Sequence, residues 1–476
     1  MNMSIVTIVG SSGTSIHVTV GGGKAQDLAE VYAKQMADAF ARDKLTTVLL
    51  APDTATPHDT EGQVYGGFVT TGGSYAPTGT YDFIGVGALN DASNSTASLN
   101  ERVTVDGAGI SSTGILSVLG GTAAGLTFNA GVSDGSFLAV VGDNYFNGGT
   151  QSANWTIVTS DGNDTILATN GTNSIDAGTG NNLILLQQGT NSVVSEGRDT
   201  ITGGAGGNAF ITVQGGNSIV SLGGTAFISD DASIGSLITV GDNSTVQSGN
   251  GSTVVFAGAN GTLSGAQNDT VSALGDLSVL YGSNQTISVS GSLRFIAGTG
   301  STNISAAQST LWGANDLSAT VSAGDSALWT GNQLGSSSNQ LIDASSSQGT
   351  LEAWTGAGDQ TVIGGQGSDH FVFGTEYDGN TEATYVTVSG GSGAANTFGV
   401  LAGHTAGDIT ITDFAAASGN KFFMYNYKPE DAETAVQSLL ATATVQGGNT
   451  SIMLDNNMKV TFMGVTDLNS SNIIIS

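Results

Sequence analysis

A nine-residue repeat between residues 162 and 227 constrains the fold of this chain more than any other feature. Each copy has Asn or Asp two residues after a glycine and a large apolar residue two residues later. The glycines are spaced 9, 9, 9, 8, 9 and 9 residues apart, at Gly162, Gly171, Gly180, Gly189, Gly197, Gly206 and Gly215. Such a short period is typical of one small unit stacked many times, with each copy burying its apolar residue on the next. We therefore predict an all-β chain that forms a parallel β-solenoid, of the β-roll or β-helix type.

The phase of the repeat predicts which side chains point inward. Glycine permits a left-handed turn, Asn and Asp tolerate one, and the apolar residue then lies in a short strand with one buried face. Within the repeat, the predicted inward residues are Ile166, Ile175, Ile184, Val193, Ile201, Phe210 and Ile219. Further along the chain they step by 8 or 9 residues, at Val246, Val255, Leu263, Val271, Val279, Ile287, Phe295 and Ile304. We expect all of these side chains to be buried.

Two tandem nonapeptides later in the chain carry the fullest form of the repeat. Residues 364–372 read Gly-Gly-Gln-Gly-Ser-Asp-His-Phe-Val, and residues 355–363 keep two of the three glycines but have Gln360 where the second copy has Asp369. These lines resemble the nonapeptide Gly-Gly-x-Gly-x-Asp-x-apolar-x of the repeats-in-toxin (RTX) family of bacterial exported proteins. The resemblance implies a β-roll whose turn Asp residues bind calcium. It also implies type I secretion, and therefore a secreted, extracellular or cell-surface protein of a Gram-negative bacterium.

The replacement of Asp by Asn bears on the calcium that this resemblance implies. Asn stands at the Asp position in five of the seven copies. If turns on one side recur every two nonapeptides, one row holds Asp164, Asn182, Asp199 and Asn217, and the other holds Asn173, Asn191 and Asn208. Calcium requires six to eight oxygen ligands, whereas Asn ladders can bond along a stack without metal. We predict a largely calcium-independent solenoid, with Asp369 as the best single candidate for a calcium ligand. The alternative is that Asp369 bonds the backbone of its own turn.

Composition and charge exclude several classes of protein. The net charge is −29, from 39 acidic and 10 basic residues, and only two basic residues lie between positions 103 and 420. Nucleic-acid binding needs basic phosphate contacts, so we expect no nucleic-acid partner. Cysteine is absent, which suits an exported chain that folds without disulfides. We expect no N-terminal secretory signal, since residues 1–20 have neither a basic n-region nor a continuous apolar core. We also expect no membrane span, since no apolar run approaches ~20 residues.

The N-terminal region, 1–60, predicts a small α/β element. Residues 3–10 and 14–20 alternate as a hairpin, and residues 46–51 as a strand. Between them, residues 24–43 predict an amphipathic helix. Its expected inner stripe is Leu28, Tyr32, Met36, Ala39 and Phe40. This element is predicted to be an N-terminal cap or a docking module.

The C-terminal region predicts a second cap. It contains the segment Ile-Thr-Asp-Phe at 411–414, a helical stretch near 429–442 and a terminal apolar strand. These features resemble the ends of RTX exoproteins, which carry an uncleaved secretion signal, and a cap and a signal can coincide. The predicted organisation is an N-terminal cap at 1–60, an irregular Gly-rich β region at 61–150, the solenoid at 151–375 and the C-terminal cap with a secretion signal at 376–476.

The sequence offers little for catalysis. The four histidines, His17, His58, His370 and His404, form no His-Glu-x-x-His motif. The segment Gly131-Val-Ser133-Asp-Gly135 matches a serine-hydrolase elbow, but no helix is predicted after it, as that motif requires. Parallel β-helix enzymes that modify acidic polysaccharides line their groove with basic residues, which are scarce in this chain. We therefore expect the protein not to be an enzyme.

The favoured function is a secreted structural protein that assembles with itself into a filament, surface layer or biofilm matrix. The proposed contact is head-to-tail, with residues 1–60 of one subunit meeting the C-terminal region of the next. On this hypothesis, deleting residues 1–20 or the last five residues leaves folded monomers. The first alternative is an adhesin or carbohydrate-binding solenoid with cell-surface or matrix polysaccharide as partner, and its candidate residues are Trp155, Trp312, Trp329 and Trp354. The second alternative is a parallel β-helix enzyme that modifies polysaccharides.

Overall fold

The chain folds almost entirely into short parallel strands. The computed structural model describes residues 3–21, 23–52, 57–58, 63–90, 99–112, 114–139, 141–265, 267–331, 338–374, 382–403, 406–455 and 457–476. These residues form two compact units, Met1–Gly249 and Asn250–Ser476, here called the N-terminal and C-terminal units. Most strands pair in parallel with the next strand but one, so each coil contributes two strands. The predicted parallel β-solenoid with small α/β regions is confirmed. The boundaries predicted at residues 60, 150 and 375 stay predictions.

The described residues of the N-terminal unit form one α-helix, α1 (Lys24–Ala41), and a short 3-10 helix at Gly107–Gly109. Its strands are β1 (Met3–Val9), β2 (Ser15–Gly21), β3 (Leu45–Leu49), β4 (Pro57–His58), β5 (Val64–Val69), β6 (Gly73–Tyr75), β7 (Thr78–Thr80), β8 (Phe83–Val86), β9 (Ala88–Leu89), β10 (Val103–Asp106), β11 (Ile110–Ser111), β12 (Leu116–Gly120), β13 (Leu126–Asn129), β14 (Gly135–Ala139), β15 (Tyr145–Asn147), β16 (Trp155–Thr159), β17 (Thr165–Leu167), β18 (Thr172–Asp176), β19 (Leu183–Leu186), β20 (Gly189–Ser195), β21 (Thr200–Gly203), β22 (Gly207–Val213), β23 (Ile219–Leu222), β24 (Thr225–Asp230), β25 (Leu237–Val240) and β26 (Thr245–Gln247).

Two stacks of apolar side chains fill the interior of these coils. One stack pairs Ile157, Ile175, Val193, Ile211, Ile228 and Val246 in register from coil to coil. The facing stack pairs Phe128, Phe146, Ile166, Ile184, Ile201, Val220 and Ile238. The repeated glycines are needed where coils touch, because a Cβ at Gly180 would collide with the carbonyl oxygen of Gly162 in the preceding coil. The nine-residue period therefore reflects half a coil.

The predicted inward orientation is wrong for two residues of this unit, because the strand pairing is shifted by one residue from the nine-residue spacing at each of them. Gly189 pairs with Gly207 rather than Gly206, so Phe210 points outward and is 52% exposed. The next turn then gains a residue at Asn217, whose φ is 59°, and Val220 takes the inward place predicted for Ile219. A slip of one residue moves every side chain of a strand to the opposite face.

The N-terminal segment up to β3 forms the predicted hairpin, helix and strand. Strands β1 and β2 pair antiparallel, and α1 packs beside them. Their buried side chains, including Ile8 and Met36, share one core with Phe68, Leu138 and other residues of the parallel strands. This cover explains why β12 and β14 are buried on both faces. The predicted inward orientation of Phe40 is wrong. The helix approaches the sheet through small residues such as Ala29, and this leaves Phe40 exposed.

The C-terminal unit contains α2 (Ala432–Ala441) and a short 3-10 helix at Phe414–Ala416. Asp431 caps α2 by accepting hydrogen bonds from two backbone N–H groups of its first turn. The strands are β27 (Thr253–Phe256), β28 (Gly261–Ser264), β29 (Thr270–Ala273), β30 (Leu277–Leu280), β31 (Thr286–Thr330), β32 (Gln340–Asp343), β33 (Thr350–Trp354), β34 (Gly358–Ile363), β35 (His370–Phe373), β36 (Thr384–Ser389), β37 (Thr397–Leu401), β38 (Gly407–Ile411), β39 (Lys421–Tyr425), β40 (Thr444–Gln446), β41 (Asn449–Met453), β42 (Met458–Phe462) and β43 (Ile473–Ile475).

Two stacks of apolar side chains fill the interior of the last coils of this unit. One pairs Ile342, Val362, Val388, Ile411 and Phe462, and the other pairs Ala353, Phe371, Phe398, Phe422 and Ile473. The 45-residue strand β31 runs extended through several coils and turns at Gly300 and Asp316, which have positive φ. The predicted burial of Val255 is wrong, because its neighbours Val254 and Phe256 point inward instead.

Candidate functional site

A buried row of polar turn residues runs along the coils of the N-terminal unit. It consists of Asn144, Asp164, Asn182, Asp199 and Ser218. In each step a side-chain oxygen accepts the backbone N–H of the corresponding residue in the preceding coil, at 2.7 Å for Asp164, 2.8 Å for Asn182, 2.9 Å for Asp199 and 3.2 Å for Ser218. The row therefore satisfies backbone donors that would otherwise be buried and unpaired. We call it the Asx ladder.

The two rows of Asn and Asp turn residues predicted from the repeat are partly confirmed. Asp164, Asn182 and Asp199 lie in one row as expected, but Ser218 rather than Asn217 completes it. In the opposite row, the amide of Asn173 donates to Asn191 at 2.9 Å, as an Asn ladder requires. Asn191 then pairs with Ala209, so the prediction for Asn208 is wrong, and Asn208 is exposed. The cause is the same one-residue slip that exposes Phe210.

Burial governs the charge of the two acidic members of the Asx ladder. Burial raises the pKa of the Asp164 carboxyl to about 6, against hydrogen bonds from Asn144 that favour the charged form. Burial also raises the pKa of Asp199, opposed by the hydroxyl of Ser195 at 2.6 Å and by Asn182. The second oxygen of Asp164 is buried and accepts no hydrogen bond of good geometry from the described residues, because the nearby hydroxyl of Thr159 donates to the carbonyl of Ala177 at 2.9 Å. The ladder therefore favours neutral side chains, and Asp164 is its least satisfied member.

Asp369, the candidate calcium ligand, lies in a comparable row of the C-terminal unit. One carboxylate oxygen accepts the N–H of Leu351 in the preceding coil at 2.7 Å, and the other accepts the N–H of Gly365 in its own turn at 2.8 Å. A Cβ at Gly364 would collide with this carboxylate, which explains the first glycine of the nonapeptide. Burial raises the pKa of Asp369 to about 6, and the two backbone donors oppose this.

The surroundings of Asp369 favour the alternative interpretation, in which its carboxylate organises a turn. The row continues through Asn396 and Asn420, each of which accepts the backbone N–H of the preceding member at 2.7 Å. Among the described residues, no group of three or more His, Cys, Asp or Glu side chains is placed to share one metal ion. Calcium binding at Asp369 stays a prediction.

Removing calcium is expected to leave the coils within residues 162–310 folded, because their turns bond through protein donors and acceptors: the Asx ladder does so up to Ser218, and further on Asp269 accepts the backbone N–H of Ser252 at 2.7 Å. At most, the segment around Asp369 should loosen. Far-ultraviolet circular dichroism with and without EGTA, combined with hydrogen exchange of residues 355–372, measures both effects. Collapse of the β signal in EGTA would show that metal, rather than the ladder, holds the coils together.

The four tryptophans differ in their accessibility. Trp155 is buried in an aromatic cluster, with its ring centroid 5.1 Å from that of Phe146, and Trp329 is buried with its Nε1 donating to Gln340. Trp354 is half-buried, and its Nε1 donates to Glu352 at 2.8 Å. Trp312 is exposed, and the guanidinium of Arg294 lies 5.0 Å from its ring centroid. Trp312 is therefore the most accessible of the four tryptophans, and Arg294 covers part of its ring.

The other candidate positions are not brought together. Ser133 lies in a bend before β14 and accepts the N–H of Ser112 at 3.2 Å. His17 contacts the hydroxyl of Thr7, and His370 contacts the hydroxyl of Tyr425 at 2.8 Å. His404 and the side chain of His58 lie outside the described residues.

A surface groove of the C-terminal unit was not predicted from the sequence. It has a volume of about 650 Å³ and crosses β31, β32, β34, β36 and β38. Its polar and aromatic lining includes Asp316, Asn339, Asp359, Tyr385 and Asp408. Asp359, Tyr385 and Asp408 are directly opposite one another on adjacent strands. They are far apart in the chain and unequally spaced, so no local pattern could have shown that they meet.

Comparisons with family models, curated proteins and solved structures found no match for this chain. No helix in the described part of the chain combines the length and apolar character needed to span a membrane.

Proposed function

We propose that this protein is a secreted structural protein that assembles with copies of itself into an extracellular filament, surface layer or biofilm matrix. The observation that carries the proposal is the edge of β43 in the last coil. This strand pairs with β39 along one side, and no described strand pairs with its other side. An unpaired edge offers N–H and C=O groups to a strand from another chain.

A pocket beside this edge favours an incoming strand. It has a volume of about 460 Å³ and lies between α2 and the end of β43, where Leu439, Met453 and Ile475 line it. Ile474 on the edge strand is 36% exposed. A docked strand would pair with the main chain of β43 and bury its apolar side chains in the pocket.

Strand β1 of a second copy is the proposed occupant. It pairs only with β2 among the described strands, and its Ile5 is exposed. Neither β1 nor β43 contains Lys, Arg or Pro, the residues with which monomeric proteins commonly block such edges. The contact joins two different surfaces, so it propagates into an open polymer unless its rotation closes a ring.

Exposed apolar rows on the N-terminal unit supply a second support for self-association. Ile219 and Leu237 are adjacent on one face, and Phe210 and Phe227 are adjacent on the opposite face. All four side chains are exposed. Clustered apolar residues of this kind favour protein contacts. Contacts through these rows would join filaments side by side into a layer.

We also propose that the protein leaves the cell by type I secretion and that it binds calcium at few sites. The tandem nonapeptides at 355–372 resemble those of RTX proteins, which favours type I secretion from a Gram-negative bacterium. The absence of cysteine and the net charge of −29 suit folding and solubility outside the cell. We propose calcium at few sites, with Asp369 as the first to test. We propose no enzymatic role, because parallel β-helix enzymes that modify acidic polysaccharides use basic residues in their groove, and only two basic residues lie between positions 103 and 420.

Ile474→Lys is expected to convert polymers into folded monomers, because the lysine places a solvated charge on the docking edge. Ile5→Lys should have the same effect from the other side of the contact. Leu274→Lys is the control, since Leu274 is an exposed apolar residue in the connection between β29 and β30 and belongs to neither edge strand. Sedimentation velocity measures the size distribution, and circular dichroism checks the fold.

Polymers of unchanged size in both edge variants would contradict the docking scheme.

Deletion of residues 1–20 is not a suitable test, which corrects the expectation that it leaves folded monomers. The hairpin supplies Ile8, Ile16 and Val18 to the core, so its removal would expose the apolar residues that it covers.

A further inference from the structure

We propose that the groove across β31, β32, β34, β36 and β38 binds a glycan chain that carries no acidic groups. This binding activity is separate from the assembly proposed above and uses none of the residues of the docking edge. It rests on the shape of the groove, on an exposed aromatic ring and on the arrangement of acceptors around that ring.

The register of the strands places two parallel rows of side chains in the groove. The first row is Asp359, Tyr385 and Asp408, and the second, two residues further along each strand, is Thr361, Thr387 and Thr410. Residues two apart in a strand share a face, so both rows point to the same side. Neighbouring members of a row are about 4.8 Å apart, the spacing of strands in a sheet. The groove therefore repeats on the scale of a sugar ring.

Tyr385 supplies a flat apolar surface at the centre of the first row. Its side chain is 47% exposed and is flanked on both sides by a carboxylate. The C–H face of a pyranose can pack on such a ring, while its equatorial hydroxyls point to the sides. A carboxylate accepts two hydrogen bonds from adjacent hydroxyls, and threonine hydroxyls both donate and accept. The two rows thus match the alternating apolar and polar surfaces of a sugar chain.

Charge determines the class of glycan. The residues that line the groove include Asp316, Asp359 and Asp408 and no Lys, Arg or His. Lys459, opposite Asp408 on β42, is not among the lining residues. Uronates, sulfated sugars and nucleic acids would be repelled by the carboxylates. The described residues place no three carboxylate or imidazole groups around one ion, so the carboxylates are better used as acceptors for hydroxyls.

The test uses the full-length protein on an array of neutral and N-acetylated oligosaccharides, with a galacturonate hexamer as the acidic competitor. We expect binding to at least one neutral chain and none to the galacturonate hexamer. Tyr385→Ala should weaken the binding about tenfold through loss of the stacking surface. Asp359→Asn with Asp408→Asn should also weaken it, because an amide accepts fewer hydrogen bonds than a carboxylate.

Tyr281→Ala is the matched control, because Tyr281 is 70% exposed but lies in a turn outside the groove. It should bind as the unmodified protein does, and circular dichroism should show all variants folded. The proposal is overturned if no neutral chain binds, if Tyr385→Ala binds as tightly as Tyr281→Ala, or if the galacturonate hexamer binds more tightly than every neutral chain.

Discussion

Ile184→Asp is expected to unfold the coils around it and to lower the free energy of unfolding by about 4 kcal/mol. Ile184 is fully buried and pairs in register with Ile166 and Ile201 in the adjacent coils. A carboxylate at this position would lose its hydration without gaining a partner. Because each coil is stabilised mainly by its neighbours, the damage should spread along the stack.

Leu183→Asp is the matched control for this prediction. Leu183 precedes Ile184 in the same strand but points outward and is partly exposed. The change of side chain is closely comparable, yet the new charge stays in water and the expected loss is below about 1 kcal/mol. Urea unfolding followed by circular dichroism measures both variants. Similar losses in the two variants would mean that the inward phase is wrong.

Asp164→Asn is expected to stabilise the N-terminal unit at neutral pH by about 3 kcal/mol, since burial raises the pKa of Asp164 by roughly two units and each unit corresponds to about 1.4 kcal/mol. The pKa of Asp164 rises from an ordinary value of 3.8 to about 6 because the carboxyl is buried. An Asn oxygen can still accept the hydrogen bonds from Asn144. Its amide can donate as Asn182 does one coil later, to a carbonyl five residues earlier in the chain.

The gain in stability from Asp164→Asn is expected to depend on pH. The folded protein binds a proton at Asp164 more tightly than the unfolded chain does, so protonation favours folding. This contribution is complete below about pH 4 and is lost as the pH rises through about 6. Asp164→Asn should therefore exceed the unmodified protein in stability at pH 7.5 and match it at pH 4. Asp161→Asn, at an exposed carboxylate of the same coil, should change stability little at either pH. Equal stabilisation at both pH values would contradict the explanation by burial.

Much of the fold could be predicted from the sequence, because the relevant signals are local. The repeated Gly, Asn or Asp and apolar residue recur at a fixed distance, and each coil contacts only its neighbours, so period alone predicts the stacking. The hairpin, α1 and α2 also follow from local alternation and helical spacing. The partial loss of Asp from the repeat predicted ladders of amides, and Asn173 with Asn191 forms one.

Other features could not be predicted, because they depend on register across coils. The consecutive glycines Gly206 and Gly207 leave the phase uncertain by one residue, and pairing with the preceding coil decides between them. Phe210 and Asn208 were misplaced for this reason. The groove around Tyr385 depends on coils of unequal length, which bring distant positions side by side. Irregular coil lengths carry no periodic signal.

Negative-stain electron microscopy of the purified full-length protein, in buffer with EGTA and in buffer with calcium, tests self-assembly most directly. Open polymers are expected in both buffers, since the proposed contact is main-chain pairing between the edges of β43 and β1 and needs no metal. Uniform single particles at high protein concentration in both buffers would contradict self-assembly.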